Sequence, residues 1–207
     1  MIKIVTSGIC LRRSVTYMNA SVLCHTTTFE GTPPSTELPD DIGSLLENHP
    51  KILESLSIMG TTQKGRILPL FIKGNENKLA KVTLSNTLLN QDDLKVLAKL
   101  PELLCVRLQH IACTEAPLLN FEEDEFRCLK YLLVADCSAI TKIIFTSRSA
   151  PCLEKIVWSS STSLSGIDKL PRLKELEFKG SQVPDDVREA IEKHKNKPSL
   201  KLIGPET

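Results

Sequence analysis

The amino-acid sequence predicts an α/β fold: a solenoid of stacked repeats with a parallel inner β-sheet and irregular or helical outer segments. Three observations predict it. Leucine occurs 31 times among the 207 residues. A short apolar pattern recurs six times, and its successive starts are separated by 26, 24, 26, 24 and 20 residues. Between these patterns, at least one segment spaces its apolar residues as an amphipathic helix does.

The recurring pattern is L-x-x-L-x-L, with other aliphatic or aromatic residues at some positions. Its second and third apolar residues are two apart, so both point to the same face of a strand. A single strand cannot bury that face, whereas stacked strands bury it against one another. Periods of about 20–29 residues are typical of leucine-rich repeats. The six units are Leu53/Leu56/Ile58, Leu79/Val82/Leu84, Leu103/Val106/Leu108, Leu129/Leu132/Val134, Leu153/Ile156/Trp158 and Leu173/Leu176/Phe178.

The chain must return from the end of each strand to the start of the next. Residues 92–100 place Leu94, Leu97 and Leu100 at helical spacing, with acidic residues at the start, where they favour a helix. In three repeats a proline lies two residues before the first leucine and prevents a helix from continuing into the strand. These prolines are Pro101, Pro151 and Pro171.

A small polar residue is typical three positions after the last apolar residue of a leucine-rich repeat, where it can satisfy backbone groups of the turn. Five of the six positions in this chain fit. Ile111 does not, so its turn is expected to find another partner or to be distorted. The six positions hold Thr61, Thr87, Ile111, Cys137, Ser161 and Ser181.

The two ends differ from the middle. We assign residues 1–36 to an irregular N-terminal extension and residues 37–207 to the repeat domain with a C-terminal helical cap. Residues 184–194 are predicted to form a short charged helix with Val187 and Ile191 on one face. Leu200 and Ile203 suggest a degenerate seventh unit. Together with Leu202 and this helix, they are expected to close the last open face of the stack.

Composition excludes several classes of function. Lysine and arginine number 26 against 25 aspartate and glutamate, which argues against a nucleic-acid or anionic-membrane binder. No apolar run approaches the roughly 18 residues of a membrane span. The seven cysteines form no C-x-x-C pair and are expected to be reduced thiols of an intracellular, cytoplasmic protein.

The sequence gives no signature of catalysis, of a cofactor or of a metal site. Gly60 and Gly65 have the spacing of a phosphate-binding loop, but Arg66 and Ile67 stand where that loop needs lysine and a hydroxyl. The histidines are scattered, and neither H-E-x-x-H nor G-x-S-x-G occurs. We therefore predict a protein that is not an enzyme.

The remaining candidate site is the solvent side of the inner sheet. Side chains that alternate with the buried pair of each strand must point away from the core. Arginine and tyrosine are enriched at binding hot spots, and solenoids commonly bind partners on their concave face. The predicted partner-binding residues are Lys81, Thr83, Arg107, Gln109, Tyr131, Leu133, Lys155, Val157, Glu175 and Glu177.

Three segments resemble the repeat region of plant intracellular nucleotide-binding leucine-rich-repeat disease-resistance proteins. They are LAKVTLSNTLLNQDDLKVLAKLPELLCVRLQHIA (79–112), CLEKIVWSSSTSLSGIDKLPRLKELEFKG (152–180) and VPDDVREAIEK (183–193). The resemblance covers residues 38–207. Its motifs are D-D-L-x-V-L-x-K-L-P before a strand, L-x-G-[IV]-x-x-L-P-x-L-K-E-L, and the closing V-P-x-x-V-x-x-A-I helix.

The resemblance implies a non-enzymatic role in plant defence. In that family the repeats sense pathogen effectors and restrain an adjoining nucleotide-binding switch. The implied partner is therefore a protein: an effector, a guarded host protein or a nucleotide-binding domain. No residue of this chain carries the family's nucleotide site. The alternative is a repeat protein that recognises substrates of a ubiquitin ligase, which would need an adaptor-binding helical motif near the N-terminus.

Overall fold

The computed structural model describes residues 2–5, 17–22, 54–59, 72, 77–85, 87–89, 91–113, 118–137, 140–159 and 162–204. Short strands dominate these residues, and helices are few. The strands are β1 (Ile2–Val5), β2 (Tyr17–Val22), β3 (Ser55–Met59), β4 (Lys81–Ser85), β5 (Leu88–Leu89), β6 (Cys105–Gln109), β7 (Ala112–Cys113), β8 (Leu118–Phe121), β9 (Tyr131–Ala135), β10 (Lys142–Phe145), β11 (Lys155–Ser159), β12 (Ser163–Ser165), β13 (Glu175–Lys179) and β14 (Ser199–Ile203). The helices are α1 (Gln91–Ala98), a 3-10 helix (Ile167–Lys169) and α2 (Asp185–Lys193).

Nine of the described strands form the inner sheet, in the order β1-β2-β3-β4-β6-β9-β11-β13-β14. β1 is antiparallel to β2, and every later neighbour is parallel. Six of these strands are the six predicted repeat strands, in their chain order. The predicted solenoid with a parallel inner sheet is therefore confirmed.

The second apolar residue of each unit occupies a single column across the sheet. Leu56 pairs with Val82, and the pairing continues in register from unit to unit. All six side chains are at most 1% exposed. The column contains the residues that the repeat pattern predicts, because parallel strands in register place equivalent residues side by side. The members are Leu56, Val82, Val106, Leu132, Ile156 and Leu176.

A repeated backbone contact fixes this register where each strand begins. The carbonyl oxygen of Leu104 accepts hydrogen bonds from the N–H groups of Lys130 and Tyr131, at 2.9 and 3.0 Å. The carbonyls of Glu54, Ala80, Lys130 and Glu154 each accept the same pair of bonds from the next repeat. Neighbouring units therefore meet in the same way although the segments between them differ in length.

The outer segments contain more strands than the sequence predicts. The predicted helix is present as α1, with Leu94 and Leu97 buried. Farther along the chain, β8, β10 and β12 pair in parallel as a second, outer sheet. Beneath it Phe121 lies 4.8 Å, between ring centroids, from both Phe126 and Phe145. The core of this half is thus a layer between two parallel sheets.

The side chain of Ile111 cannot form a hydrogen bond, and the turn after β6 obtains its hydrogen-bond partner from the next repeat. The Ile111 N–H donates to the Cys137 sulfur of the next repeat at 3.4 Å. Of the other predicted turn residues, Thr87 is 4% exposed, yet its hydroxyl has no hydrogen-bond partner among the described residues. Ser181 is exposed. Thr61 and Ser161 lie outside the described residues, as do Gly60 and Gly65.

The predicted C-terminal helix is present and packs against the core, but part of the strand after it is exposed. α2 buries Val187 and packs against the 3-10 helix. After α2, His194 is buried, its Nε2 lies 3.1 Å from the Leu170 carbonyl oxygen, and its Nδ1 accepts the Asn196 N–H at 3.0 Å. β14 remains an edge strand, and 55% of Leu202 and 37% of Ile203 are exposed. The expectation that these two residues help to close the core is wrong.

The seventh unit also has a different register from the one that the sequence suggests. Leu200 pairs with Leu176 and so takes the second apolar position rather than the first. Leu202 pairs with Phe178 and takes the third. The sequence indicated this register in the two-residue spacing of Leu200 and Leu202.

The N-terminal segment contributes to the same sheet. β2 pairs with β3 in parallel, with Tyr17 opposite Ser55, and β1 lies at the edge beyond it. These strands lie within the segment that the sequence assigns to an irregular extension, so the extension is not irregular at residues 2–5 and 17–22. The domain boundary between residues 36 and 37 stays a prediction.

Candidate functional site on the inner face

The predicted site residues lie on the inner face, defined here as the side chains of β3, β4, β6, β9, β11, β13 and β14 that alternate with the buried columns. Register aligns them in rows that cross the strands. One row contains Lys81, Cys105, Tyr131, Lys155, Glu175 and Ser199. The next row contains Ser57, Thr83, Arg107, Leu133, Val157, Glu177 and Lys201. Gln109 belongs to a third row, beside Ser85 and Ala135.

Arg107 and Tyr131 form the centre of this face. The Arg107 Cζ lies 5.3 Å from the centroid of the Tyr131 ring, within the range of a cation–π contact. The Nε atom of Arg107 is shielded from solvent and has no hydrogen-bond partner among the described residues. Burial raises the pKa of Tyr131, while the nearby positive charges of Arg107 and Lys155 act in the opposite direction. The phenol therefore stays protonated and can donate a hydrogen bond.

Two apolar residues lie beside this pair, and they differ in exposure. Leu133 is half-buried, next to Arg107 in the row. Val157, next to Leu133, is only 2% exposed. It points to the inner face as predicted, but neighbouring side chains cover it, so it offers a partner almost no surface. The strand alone determines which face Val157 points to. The burial of its side chain depends on neighbouring residues of β9 and β13.

At the C-terminal end, charged residues of β11, β13 and β14 form what we term the charge cluster: Lys155, Glu175, Glu177 and Lys201. The Lys155 Nζ lies 2.6 Å from Glu177 Oε1 and 3.4 Å from Glu175 Oε1. Lys201 also contacts the Glu175 carboxylate, and its Nζ lies 3.9 Å from Glu177 Oε1. The two positive and two negative charges cancel within the cluster.

The hydrogen bonds of the charge cluster shift the pKa values of its members. The Lys201 ammonium donates to Glu175 and lowers the pKa of that carboxyl, although partial burial opposes the shift. The hydrogen bond to Glu177 raises the pKa of Lys155, again against the effect of burial. Lys155 and Glu175 are therefore ionised at neutral pH, and all four groups are already paired.

The sequence did not identify Lys201 as part of the site. Its role depends on the register of β14, in which Lys201 pairs with Glu177. Aligning Leu200 and Leu202 with Leu176 and Phe178 places Lys201 in the same row as Glu177. That alignment was available from the spacing of the leucines.

The described residues contain no group of three or more His, Cys, Asp or Glu side chains that could hold a metal ion. Within the same residues, α1 and α2 are both far shorter than a helix that crosses a bilayer. Among the described residues, Cys105, Cys128 and Cys152 are free thiols. The inner face presents a mixture of polar and apolar side chains.

A comparison with protein families agrees with the geometry. The model of a leucine-rich repeat region matches residues 35–200, which is well over half of the chain. No match was found among curated proteins or among solved structures.

Proposed function

Since this chain belongs to the leucine-rich repeat region family, we propose that it serves as the recognition or autoinhibitory repeat region of a plant intracellular disease-resistance protein, or as a truncated paralogue of one. Leucine-rich repeat regions bind protein partners and are typically not enzymes, so the chain is a protein-interaction module. The plant-defence role, the cytoplasmic location and the choice among effector, guarded host protein and nucleotide-binding domain belong to the proposal.

The observation that carries the proposal is the centre of the inner face, where the Arg107 Nε has no hydrogen-bond partner among the described residues. Arg107 and Tyr131 lie side by side, half-buried, with Leu133 next to them. Tyrosine, tryptophan and arginine side chains contribute most of the binding energy at many protein interfaces. The resemblance of residues 79–112, 152–180 and 183–193 to disease-resistance proteins supports the finer assignment.

Affinity capture from plant leaf cells tests the binding surface. Arg107→Glu reverses the charge at the centre of the inner face and is expected to abolish capture of the partner. Lys142→Glu makes the same change on the exposed outer strand β10 and is the matched control. Equal capture by wild type and by Arg107→Glu would place the binding surface elsewhere.

Two further measurements test the disease-resistance assignment. Transcripts that include this reading frame should carry an in-frame nucleotide-binding region upstream if the chain is part of a receptor. When mixed with such a domain in purified form, the chain should slow its exchange of ADP for ATP. A stand-alone transcript, together with no effect on exchange by any plant nucleotide-binding domain tested, would refute the receptor role and leave the interaction module intact.

A further inference from the structure

The positive charge of Arg107 has no counterpart on its own part of the inner face. Between β3 and β9 the alternating side chains include the cations Lys81 and Arg107 and no carboxylate. Neither cation has an acidic partner among the described residues. Glu177, in the same row as Arg107, lies three strands away, which is about 14 Å at ~4.8 Å per strand. It is also engaged with Lys155.

The donors in this area outnumber the acceptors that are within reach. Arg107 presents a planar fork of N–H donors, and its Nε–H is buried without a partner among the described residues. Tyr131 adds a protonated hydroxyl, and Lys81 adds an ammonium group. A buried donor without an acceptor is unfavourable, so an incoming acceptor gains more here than at an exposed arginine.

The surface on the β9 side of Arg107 is apolar. Leu133 follows Arg107 in the row, and the Tyr131 ring lies 5.3 Å, at its centroid, from the Arg107 Cζ. We name the set Lys81, Arg107, Tyr131 and Leu133 the arginine patch. A ligand that fits it combines a negatively charged, planar acceptor with an adjacent apolar group. An Asp or Glu side chain next to a leucine-like residue has this chemistry, since carboxylate and guanidinium pair through two parallel hydrogen bonds.

We propose that the arginine patch binds an Asp or Glu side chain of an acidic segment in the protein partner, with the carboxylate on Arg107 and a nearby apolar residue of the same segment on Leu133. The inference rests on the proposed protein-binding function and names the chemistry of the partner. The charge cluster does not take part directly, because its charges are already neutralised. Recognition is thus confined to β4, β6 and β9.

Side-chain NMR of the full chain tests this inference. The probes are capped peptides that alternate Leu and Glu, or Leu and Gln, with a phosphoserine peptide and a single-stranded DNA oligonucleotide for comparison. The Glu peptide is expected to move the Arg107 Nε–H resonance downfield and to bind at least about tenfold more tightly than the Gln peptide. The resonance is assigned by its absence in Arg107→Lys.

Variants give a second readout. Arg107→Lys keeps the charge but loses the fork, and should weaken binding of the Glu peptide by about tenfold. Lys179→Met, on β13 and without an ion pair among the described residues, should leave it unchanged. Equal binding of Glu and Gln peptides, or a larger Arg107 shift with the phosphopeptide or DNA, would overturn the inference.

The capture experiment separates this inference from the proposed function. If Arg107→Lys and wild type capture the partner equally, the acidic-segment inference is wrong and the interaction module remains. If neither protein captures a partner while the Glu peptide still binds through Arg107, the proposed interaction module is wrong and the acidic-segment inference remains.

Discussion

The thiol of Cys137 lies 3.4 Å from the backbone nitrogen of Ile111 and accepts its N–H, so a side chain in one repeat satisfies the turn of the repeat before it. The same sulfur lies 3.2 Å from the carbonyl oxygen of Ala135 and 3.6 Å from that of Leu108. A polar residue at one repeat position therefore serves two turns. This is why Ile111 is tolerated where the repeat pattern favours a small polar residue.

Replacing Cys137 with alanine should destabilise the fold by about 1–3 kcal/mol, because it leaves a buried N–H without an acceptor. Cys137→Ser should lose less, since a hydroxyl keeps both donor and acceptor. Urea unfolding followed by circular dichroism measures the difference. Cys152→Ala is the control, because Cys152 is half-buried and its sulfur accepts a single long hydrogen bond among the described residues, from Arg172 at 3.8 Å. Equal losses for Cys137→Ala and Cys152→Ala would contradict the shared-turn role.

Thr87 and Thr162 are both buried, but replacing each with valine should have different effects on stability. Both are at most 4% exposed. The Thr162 hydroxyl donates to the Ile140 carbonyl oxygen at 2.7 Å, whereas the Thr87 hydroxyl has no partner among the described residues. Thr162→Val should cost about 1–3 kcal/mol of unfolding free energy, and Thr87→Val should be neutral or stabilising by up to about 1 kcal/mol. The urea midpoints of the two variants measure this difference. A comparable loss of stability in both variants would show that the Thr87 hydroxyl forms a hydrogen bond in solution.

The inner column should be the most sensitive part of the core. Leu132 is fully buried between Val106 and Ile156, so Leu132→Ala creates a cavity and should cost about 2–5 kcal/mol. Leu104 is 39% exposed, and Leu104→Ala, its matched control, should cost less than about 1 kcal/mol. Thermal and urea unfolding both report the difference. A small loss at Leu132 would argue against a continuous column.

The charge cluster predicts a pH dependence of stability. The pKa of Glu175 is lowered from its ordinary value of 4.5, chiefly by the hydrogen bond from Lys201. Such a carboxylate stabilises the fold above about pH 4.5 and stops doing so as the pH falls through its lowered folded value. Wild type should therefore have a higher Tm than Lys201→Met at pH 7, and the gap should close as the pH falls below 4.5.

Lys179→Met serves as the control for this titration, because Lys179 lies on the same strand as Glu175 without an ion pair among the described residues. Its Tm should differ from that of wild type by the same amount at every pH. A gap for Lys201→Met that persists unchanged to pH 3 would show that the lysine acts through packing and not through its charge.

The sequence predicted the inner sheet because the pattern that determines it lies within a few residues of each strand. A two-residue spacing repeated in phase determines which side chains face the core, and Leu56 to Leu176 follow it without exception. The outer strands β8, β10 and β12 were not predicted. Each is three or four residues long, too short for a period to be recognised, and their pairing depends on contacts between repeats.

The candidate site could be predicted to the level of which residues face outward, and no further. Alternation placed Arg107 and Val157 on the same face. Whether each is exposed or covered depends on side chains of the adjacent strands, as the burial of Val157 shows. The pairing of Lys155 with Glu175 and Glu177 follows from contacts between strands, and so does the absence of an acidic partner for Arg107 among the described residues. Neither follows from spacing along one strand.

The carbonyl oxygens that each accept two N–H groups from the next unit have a consequence for how such a chain can vary. These hydrogen bonds join main-chain atoms where each strand begins, so they do not depend on the length of the preceding loop. One unit can return through α1 and another through a few extended residues while the strands keep the same register. Insertions and deletions in the outer segments should therefore be tolerated, and substitutions of exposed side chains on the inner face should leave these hydrogen bonds intact.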